Sequence, residues 1–197
     1  MKRIGLTGTI GSGKTTVGIL LRRKGYPVFD CDAYSRILYQ KTNPCYQEVV
    51  NAFGTGILDE TEEIDRKKLA AAVFSSDDLR LKLNSIVHPA VLEGMRTFFR
   101  HHGQDGLVFA EVPLLFDAHM EKEFDHILVI SCSRDTAIAR LQEYRSFTRE
   151  EAVARYETQM DIEQQRAAAD TVIYNDGTIR ELDEALDRFL NEMERSL

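Results

Sequence analysis

Cysteine is scarce and unpatterned in this chain. Cys31, Cys45 and Cys132 are the only three, an odd number with no C-x-x-C and no metal-ligand rhythm, which argues against a disulfide framework and suits reduced thiols. Basic charge is also short. With 25 Lys and Arg against 32 Asp and Glu the net charge is -7, so no broad basic face is available for nucleic acid, although a local cluster of arginines can still hold a small anionic substrate. No apolar run approaches a membrane span. Only Ile4-Gly5-Leu6-Thr7 separates Lys2 and Arg3 from a glycine-rich stretch, too little for the apolar region of a secretory signal. Internal repeats, low-complexity tracts and linkers are missing as well. Together these absences predict a cytoplasmic protein with no membrane and no polynucleotide partner. They leave the oligomeric state open, with a monomer as the favoured expectation.

What is present starts with Gly8-Thr9-Ile10-Gly11-Ser12-Gly13-Lys14-Thr15, which fits G-x-x-x-x-G-K-[ST] and lies directly behind the strand-like run Ile4–Thr7. The glycines allow positive φ and a close backbone approach, so that successive N–H groups converge on the oxygens of a triphosphate. The helix that follows adds its unpaired N-terminal donors and the positive end of its dipole. Lys14 then reaches the β and γ phosphates as a point charge, the Thr15 hydroxyl ligates a bridging Mg²⁺, and Thr16 continues the helix beside them. The bland alternative, a glycine-rich turn joining a strand to a helix, does not by itself require Lys and Thr in this order.

The 197 residues, 43% of them hydrophobic, suffice for one substantial core but not for two full catalytic domains. Tyr26–Phe29 reads as a second strand ending in Asp30-Cys31-Asp32. In an open parallel sheet ligands bind beyond the carboxyl ends of the strands, which makes both aspartates candidates for chemistry, although one can equally cap the next helix. From Ala33 to about His102 helical patterns dominate. Tyr46–Phe53 stops at Gly54 and Gly56, Asp65 caps a helix running to Phe74, and Asp77 caps another that His88-Pro89 breaks before a further helix through Phe99. His88 is either a structural hydrogen-bonding residue or a functional one.

Leu107–Glu111 is a continuous apolar run ending in an acid, as in a buried parallel strand, and Glu111 is placed to hold Mg²⁺ through water. Pro113–Phe116 is apolar where a loop is expected, either core or a floor under an acceptor. His126–Ile130 is a fourth strand. Ser133 and the capping box Thr148-x-x-Glu151 open two short arginine-bearing helices that suit a lid over a nucleotide. Thr171–Tyr174 is a fifth strand, Asn175-Asp176-Gly177 a turn, and Thr178-x-x-Glu181 opens a C-terminal helix whose Leu182, Leu186, Phe189, Leu190 and Met193 form one core stripe.

With these elements in place the chain resembles the dephospho-coenzyme A kinases over essentially its whole length. The resemblance rests on Gly5 through Thr15, Asp30-Cys31-Asp32, Asp65–Leu69, Leu83 through His88-Pro89, Val112-Pro113-Leu114-Leu115-Phe116, Arg140-Leu141, Gln159-Met160 and Ile173-Tyr174-Asn175. It implies an α/β fold: a three-layer P-loop kinase core with a five-stranded parallel sheet, a helical acceptor-binding insertion and a helical lid. The whole is expected to be a single domain, with core 1–32, 103–134 and 170–197, insertion 33–102 and lid 135–169. The implied reaction moves the γ-phosphoryl of ATP to the ribose 3′-hydroxyl of dephospho-coenzyme A, with Mg²⁺ as cofactor. Asp32 matches the family's base, Arg140 a lid arginine, and Asn175 to Gly177 the region near the adenine. The candidate sites are thus Asp32, Lys14 and Arg140 for catalysis; Gly8 through Thr16, Asn175 and Gly177 for ATP; Asp32, His88 and Leu114 for the acceptor; Thr15 and Glu111 for Mg²⁺.

Some positions depart from the family's commonest pattern: Thr9 for Gly, Cys31 for Ala, Glu111 for Asp, and Tyr144 where a second lid arginine is common. Arg145 stands next to it but points about 100° away on a continuous helix. A nucleoside or nucleoside monophosphate kinase is the alternative within the enzyme class. A nucleotide-dependent switch that binds a partner protein is the alternative outside it, and neither D-x-x-G nor N-K-x-D occurs in this sequence to support it.

Overall fold

In the computed structural model, which describes residues 1–74 and 76–197 with the side chains of Phe74 and Asp77 excepted, five strands make one sheet. They are β1 (Lys2–Thr7), β2 (Val28–Asp30), β3 (Leu107–Glu111), β4 (His126–Ser131) and β5 (Thr171–Tyr174), in the order β2-β3-β1-β4-β5. All pairings are parallel, with Ile4 opposite both Phe109 and His126. A parallel sheet needs helical crossovers that cover both faces, which is why its strands read as apolar runs rather than alternations. In β3 all five residues are buried, Glu111 included.

The two faces are filled differently. Ile4 and Leu6 of β1, Phe109 of β3 and Ile130 of β4 join Val17 and Leu21 of α1 (Lys14–Arg23) in one cluster, completed by the C-terminal helix Ile179–Arg195 through Leu186, Phe189 and Met193. Gly5 points the other way, where a Cβ would stand 2.8 Å from Leu115 Cδ1 and 2.9 Å from the Phe124 ring; its bareness lets those side chains lie against the strand. The C-terminal helix starts with the expected capping box at Thr178 and Glu181, and Lys24, at the end of α1, forms ion pairs with Asp183 and Asp187 of that helix. β2 begins at Val28 rather than Tyr26, whose ring packs edge-on against Phe109 with centroids 5.7 Å apart.

The chain divides into two compact units, one of Met1–Asp30 with His101–Leu197 and the other of Cys31–Arg100. The second unit holds α2 (Cys31–Leu38), α3 (Pro44–Phe53), α4 (Arg66–Phe74) and most of α5 (Asp77–His101). Asn43 caps α3, and the chain leaves it at Gly54 with φ 77°. Asp65 caps α4, accepting from Lys67 N–H at 2.8 Å. The cap expected of the Asp77 side chain lies outside the described residues; Ser76 Oγ stands 3.5 Å from Leu79 N.

One expectation is overturned here. His88-Pro89 does not break the chain into two helices, because α5 continues through Pro89 as one helix of 25 residues. Val87, Val91, Met95 and Phe99, each at most 9% exposed and spaced by four, make a buried stripe that crosses the proline. Burial of that stripe outweighs the hydrogen bond that proline removes. Gly94 on the same helix is required by packing, since a Cβ there would fall 2.3 Å from the Tyr34 ring of α2.

In the first unit, three helices rather than two follow β4: α6 (Arg134–Arg145), α7 (Arg149–Glu157) and α8 (Ile162–Ala168). The third has only seven residues and is capped by Asp161, which accepts from Glu163 N–H at 2.9 Å. The C-terminal helix Ile179–Arg195 is therefore α9. Among the described residues no helix is long and apolar enough to cross a membrane.

Candidate active site

The sheet order places β1 between β3 and β4; the connection from β1 runs to β2 on one side and that from β3 to β4 on the other, and in such folds ligands bind beyond the carboxyl ends of the strands at this reversal. Gly8–Thr15 fills this position. Gly8 has φ 145°, and a Cβ on it would lie 2.1 Å from the Ile130 carbonyl oxygen, so only glycine lets the loop turn so close to β4. Gly13, φ 100°, is the N-cap of α1, and its missing side chain leaves room for Asn175, whose Nδ2 would otherwise stand 2.3 Å from a Cβ. That Nδ2 donates to the Ser12 carbonyl at 2.7 Å.

Lys14 is nearly buried. Its Nζ donates to the carbonyls of Gly8 and Thr9 at 2.8 and 2.9 Å, which holds the ammonium over the concave side of the loop. Thr15, exposed in the first turn of α1, donates its hydroxyl to Glu111 Oε1 at 2.8 Å. Glu111 is 4% exposed, and its Oε2 has no hydrogen-bond partner among the described residues. Burial raises its pKa and the Thr15 bond works against that rise; Asp30, opposite it in register, raises it further. A buried carboxylate with an unpartnered oxygen next to a threonine hydroxyl is an all-oxygen donor pair, and such hard donors fit Mg²⁺.

α6 grips the loop from its other side. Ala137 leaves no space for a side chain at Gly11, where a Cβ would lie 2.7 Å from the Ala137 carbonyl oxygen, and Arg140 Nη1 is 3.5 Å from the Gly11 carbonyl. Tyr144 and Arg145 are exposed on α6, which stays helical through Arg145. Beyond β5, Asp176 accepts from Ser133 N–H at 2.8 Å; burial pushes its pKa up, but this bond and the hydroxyls of Thr136 and Ser133 bring it below the ordinary value. Arg166 of α8 donates Nε to Ser131 Oγ at 2.9 Å and lies over the exposed Tyr174 ring, 5.1 Å from its centroid.

The structure thus assembles Gly8 through Thr16, Lys14, Glu111, Arg140 and Asn175 around one loop. Gly177 lies next to the Glu181 carboxylate. The apolar stretch after β3 divides: Leu115 and Phe116 are core, while Leu114 is 47% exposed. Asp32 and His88 belong to the second unit, Asp32 exposed in the first turn of α2 and His88 exposed on α5. Two contacts to the loop have no local signal in the sequence. The Asn175 amide supports the loop at Ser12. Gln159 Oε1 accepts from Ile10 N–H at 2.7 Å; a polar residue in a short helix connection carries no signal of such a bond, since its partner is 149 residues away.

The sequence profile of the dephospho-CoA kinase family matches residues 2–181. A dephospho-CoA kinase of Bacillus cereus is 42% identical over 178 residues, 89% of each chain. Among solved structures, TT1252 from Thermus thermophilus superposes with a TM-score of 0.83 at 34% identity, covering 97% of both chains. A dephospho-CoA kinase from Campylobacter jejuni superposes with a TM-score of 0.73 at 21% identity over 98% of both, a likeness of fold. The glycine-rich loop Gly8–Thr15 between β1 and α1 is therefore carried by a chain that belongs to the dephospho-CoA kinase family.

Proposed function

We infer that the protein transfers the γ-phosphoryl group of ATP to the ribose 3′-hydroxyl of dephospho-coenzyme A, giving coenzyme A and ADP, the last step of coenzyme A biosynthesis. The observation that carries this reading is the Gly8–Thr15 loop, with Lys14 over it and Thr15 bonded to Glu111, in a chain of this family. Phosphoryl transfer passes through a loose transition state, so the protein contributes positioning and charge rather than covalent chemistry.

The loop amides from Gly11 to Thr15 and the N-terminus of α1 receive the β and γ phosphates. Lys14 and Arg140 place positive charge on the transferring group. Thr15, with Glu111 directly or through water, would hold a Mg²⁺ ion, which would supply charge neutralisation for the phosphates. Asp32 orients the 3′-hydroxyl in line and takes its proton as the bond to phosphorus forms. His88 and Leu114 contact the acceptor, the helical insertion 33–102 receives it, and residues 135–169 act as the lid. Asn175 and Gly177 flank the adenine. The buried cysteines Cys31, Cys45 and Cys132 and the use of ATP support a cytoplasmic enzyme, and we take it to act as a monomer.

The test is ADP formation with Mg²⁺ and ATP in the presence of dephospho-coenzyme A, adenosine or AMP. Stimulation by dephospho-coenzyme A, with coenzyme A as product, is expected. If AMP or adenosine stimulates equally well, the kinase reading stands and the acceptor assignment falls.

A further inference from the structure

The amide of Ile10, inside the phosphate loop, is already occupied from outside the loop. Gln159 Oε1 accepts from it at 2.7 Å, within the range of a strong N–H···O bond. This orientation also fixes the carboxamide, because a flipped one would set NH₂ against N–H. Gln159 lies in the connection between α7 and α8, and that connection is itself held at several points. Gln165, 4% exposed, donates Nε2 to the Met160 carbonyl at 2.9 Å. Thr158 Oγ1 donates to the Arg155 carbonyl at 2.9 Å, and Arg166 ties α8 to the end of β4 through Ser131. The side chain that reaches the loop thus stands on a rigid support.

Ile10 is held a second time. Its side chain packs against the small cluster of Ile138, Leu141 and Ala152, with Phe147 and Val153 beside it, so it is anchored in α6 and α7 while its amide is anchored in the α7–α8 connection. Gly11, next in the loop, has Ala137 against it. The backbone at Ile10 and Gly11 therefore takes its shape from the helical segment after β4, and not only from β1 and α1.

We propose that Gln159 is a positioning residue for the nucleotide: by holding the Ile10 amide it sets the curvature of the phosphate loop for the triphosphate and ties the α7–α8 connection to loop occupancy. It acts through the loop backbone and takes no part in the chemical step. This rests on the reading of Gly8–Thr15 as the ATP site. It assigns to Gln159 a role distinct from the charge supplied by Lys14 and Arg140.

Three variants test it. Gln159→Met keeps the length of the side chain without the acceptor, Gln159→Asn keeps the amide but falls one methylene short, and Gln159→Glu keeps an acceptor in reach. The first readout is hydrogen exchange at the Ile10 amide in the ligand-free protein, which needs no activity. Protection is expected to fall for Gln159→Met and Gln159→Asn and to persist for Gln159→Glu. The second is steady-state kinetics, with each substrate varied in turn at a saturating level of the other. KM for ATP is expected to rise about 3- to 10-fold in Gln159→Met, the loss of roughly one hydrogen bond, with kcat within about twofold and KM for dephospho-coenzyme A unchanged. Unchanged exchange at Ile10 in Gln159→Met overturns the proposal, as does an equal loss in kcat and in both KM values accompanied by a lower melting temperature. Absence of acceptor-dependent turnover in the wild-type protein instead overturns the assigned reaction, and the exchange data remain interpretable without it.

Discussion

Asp32 and Asn175 make a useful contrast, one proposed to touch substrate and the other seen to touch the loop. Asp32→Asn keeps size and polarity but cannot accept the proton of the hydroxyl, so turnover is expected to fall by on the order of 10²–10⁴ while KM for ATP stays nearly constant. Unaltered turnover removes Asp32 from the role of base. Asn175 is 6% exposed, and its Nδ2 donates to the Ser12 carbonyl. Asn175→Ala leaves that carbonyl without its partner, which costs about 1–3 kcal/mol in a buried setting, and loosens the loop ahead of Lys14. Chemical denaturation should show the lost stability, and the same variant should need several-fold more ATP for half-maximal rate. The sequence revealed the loop because its glycines, lysine and threonine are contiguous and chemically constrained. It did not reveal that Asn175 supports Ser12 or that Gln159 holds Ile10, because these bonds join residues 163 and 149 positions apart and depend on the path of the chain rather than on any local pattern.

At the scale of elements, α5 is the instructive case. Proline inside a helix lacks a donor and its ring crowds the carbonyl four residues earlier, a penalty of about 3 kcal/mol relative to alanine. Pro89 is exposed, so its ring has little packing to lose on replacement. Pro89→Ala is therefore expected to stabilise the protein by about 1–3 kcal/mol, read as a higher urea midpoint with an unchanged slope. A lower midpoint would show that the preset φ of the proline offsets its defects. The proline was misread from sequence because the breaker rule is local, whereas the stripe from Val87 to Phe99 is recognisable only once both of its halves are known to be buried. The strands, by contrast, were legible as runs, since a parallel sheet covered on both faces demands apolar residues at every position. The capping boxes at Thr148 and Thr178 were legible for a similar reason, because three residues of spacing define them.

For the whole molecule, the response to acid follows from two neighbouring residues at the start of β4. His126, at the start of β4, has Nε2 2.9 Å from Thr171 Oγ1 and its ring 5.7 Å from that of Phe189. Burial lowers its pKa, opposed by Asp170 and Glu192 and assisted by Lys2. The unfolded chain therefore binds the proton more readily, and stability declines as pH falls from about 6.5 toward the lower value in the folded state. Asp125 has the opposite charge type and the same direction of effect. The Arg3 side chain holds its carboxylate below the usual range against the cost of burial, with Nη2 at 2.7 Å and the Arg3 backbone N–H at 2.8 Å. Its contribution is complete above about 3.9 and is lost as pH falls through the folded value. Urea titrations from pH 8 to 3 should show both declines, with His126→Gln removing the one near neutrality and Asp125→Asn weakening the one in acid.

The order β2-β3-β1-β4-β5 has one more consequence, for the chain as it is being made. β1 is the middle of the sheet, yet Ile4 meets Phe109 and His126, so the ribosome must add more than a hundred residues before either neighbour exists. At about 5–20 residues per second the central strand waits on the order of 5–20 seconds with Ile4 and Leu6 uncovered. Nascent chains of this protein are thus natural clients for a factor that shields apolar segments at the tunnel exit, and the sheet closes late, around a strand made well before its neighbours.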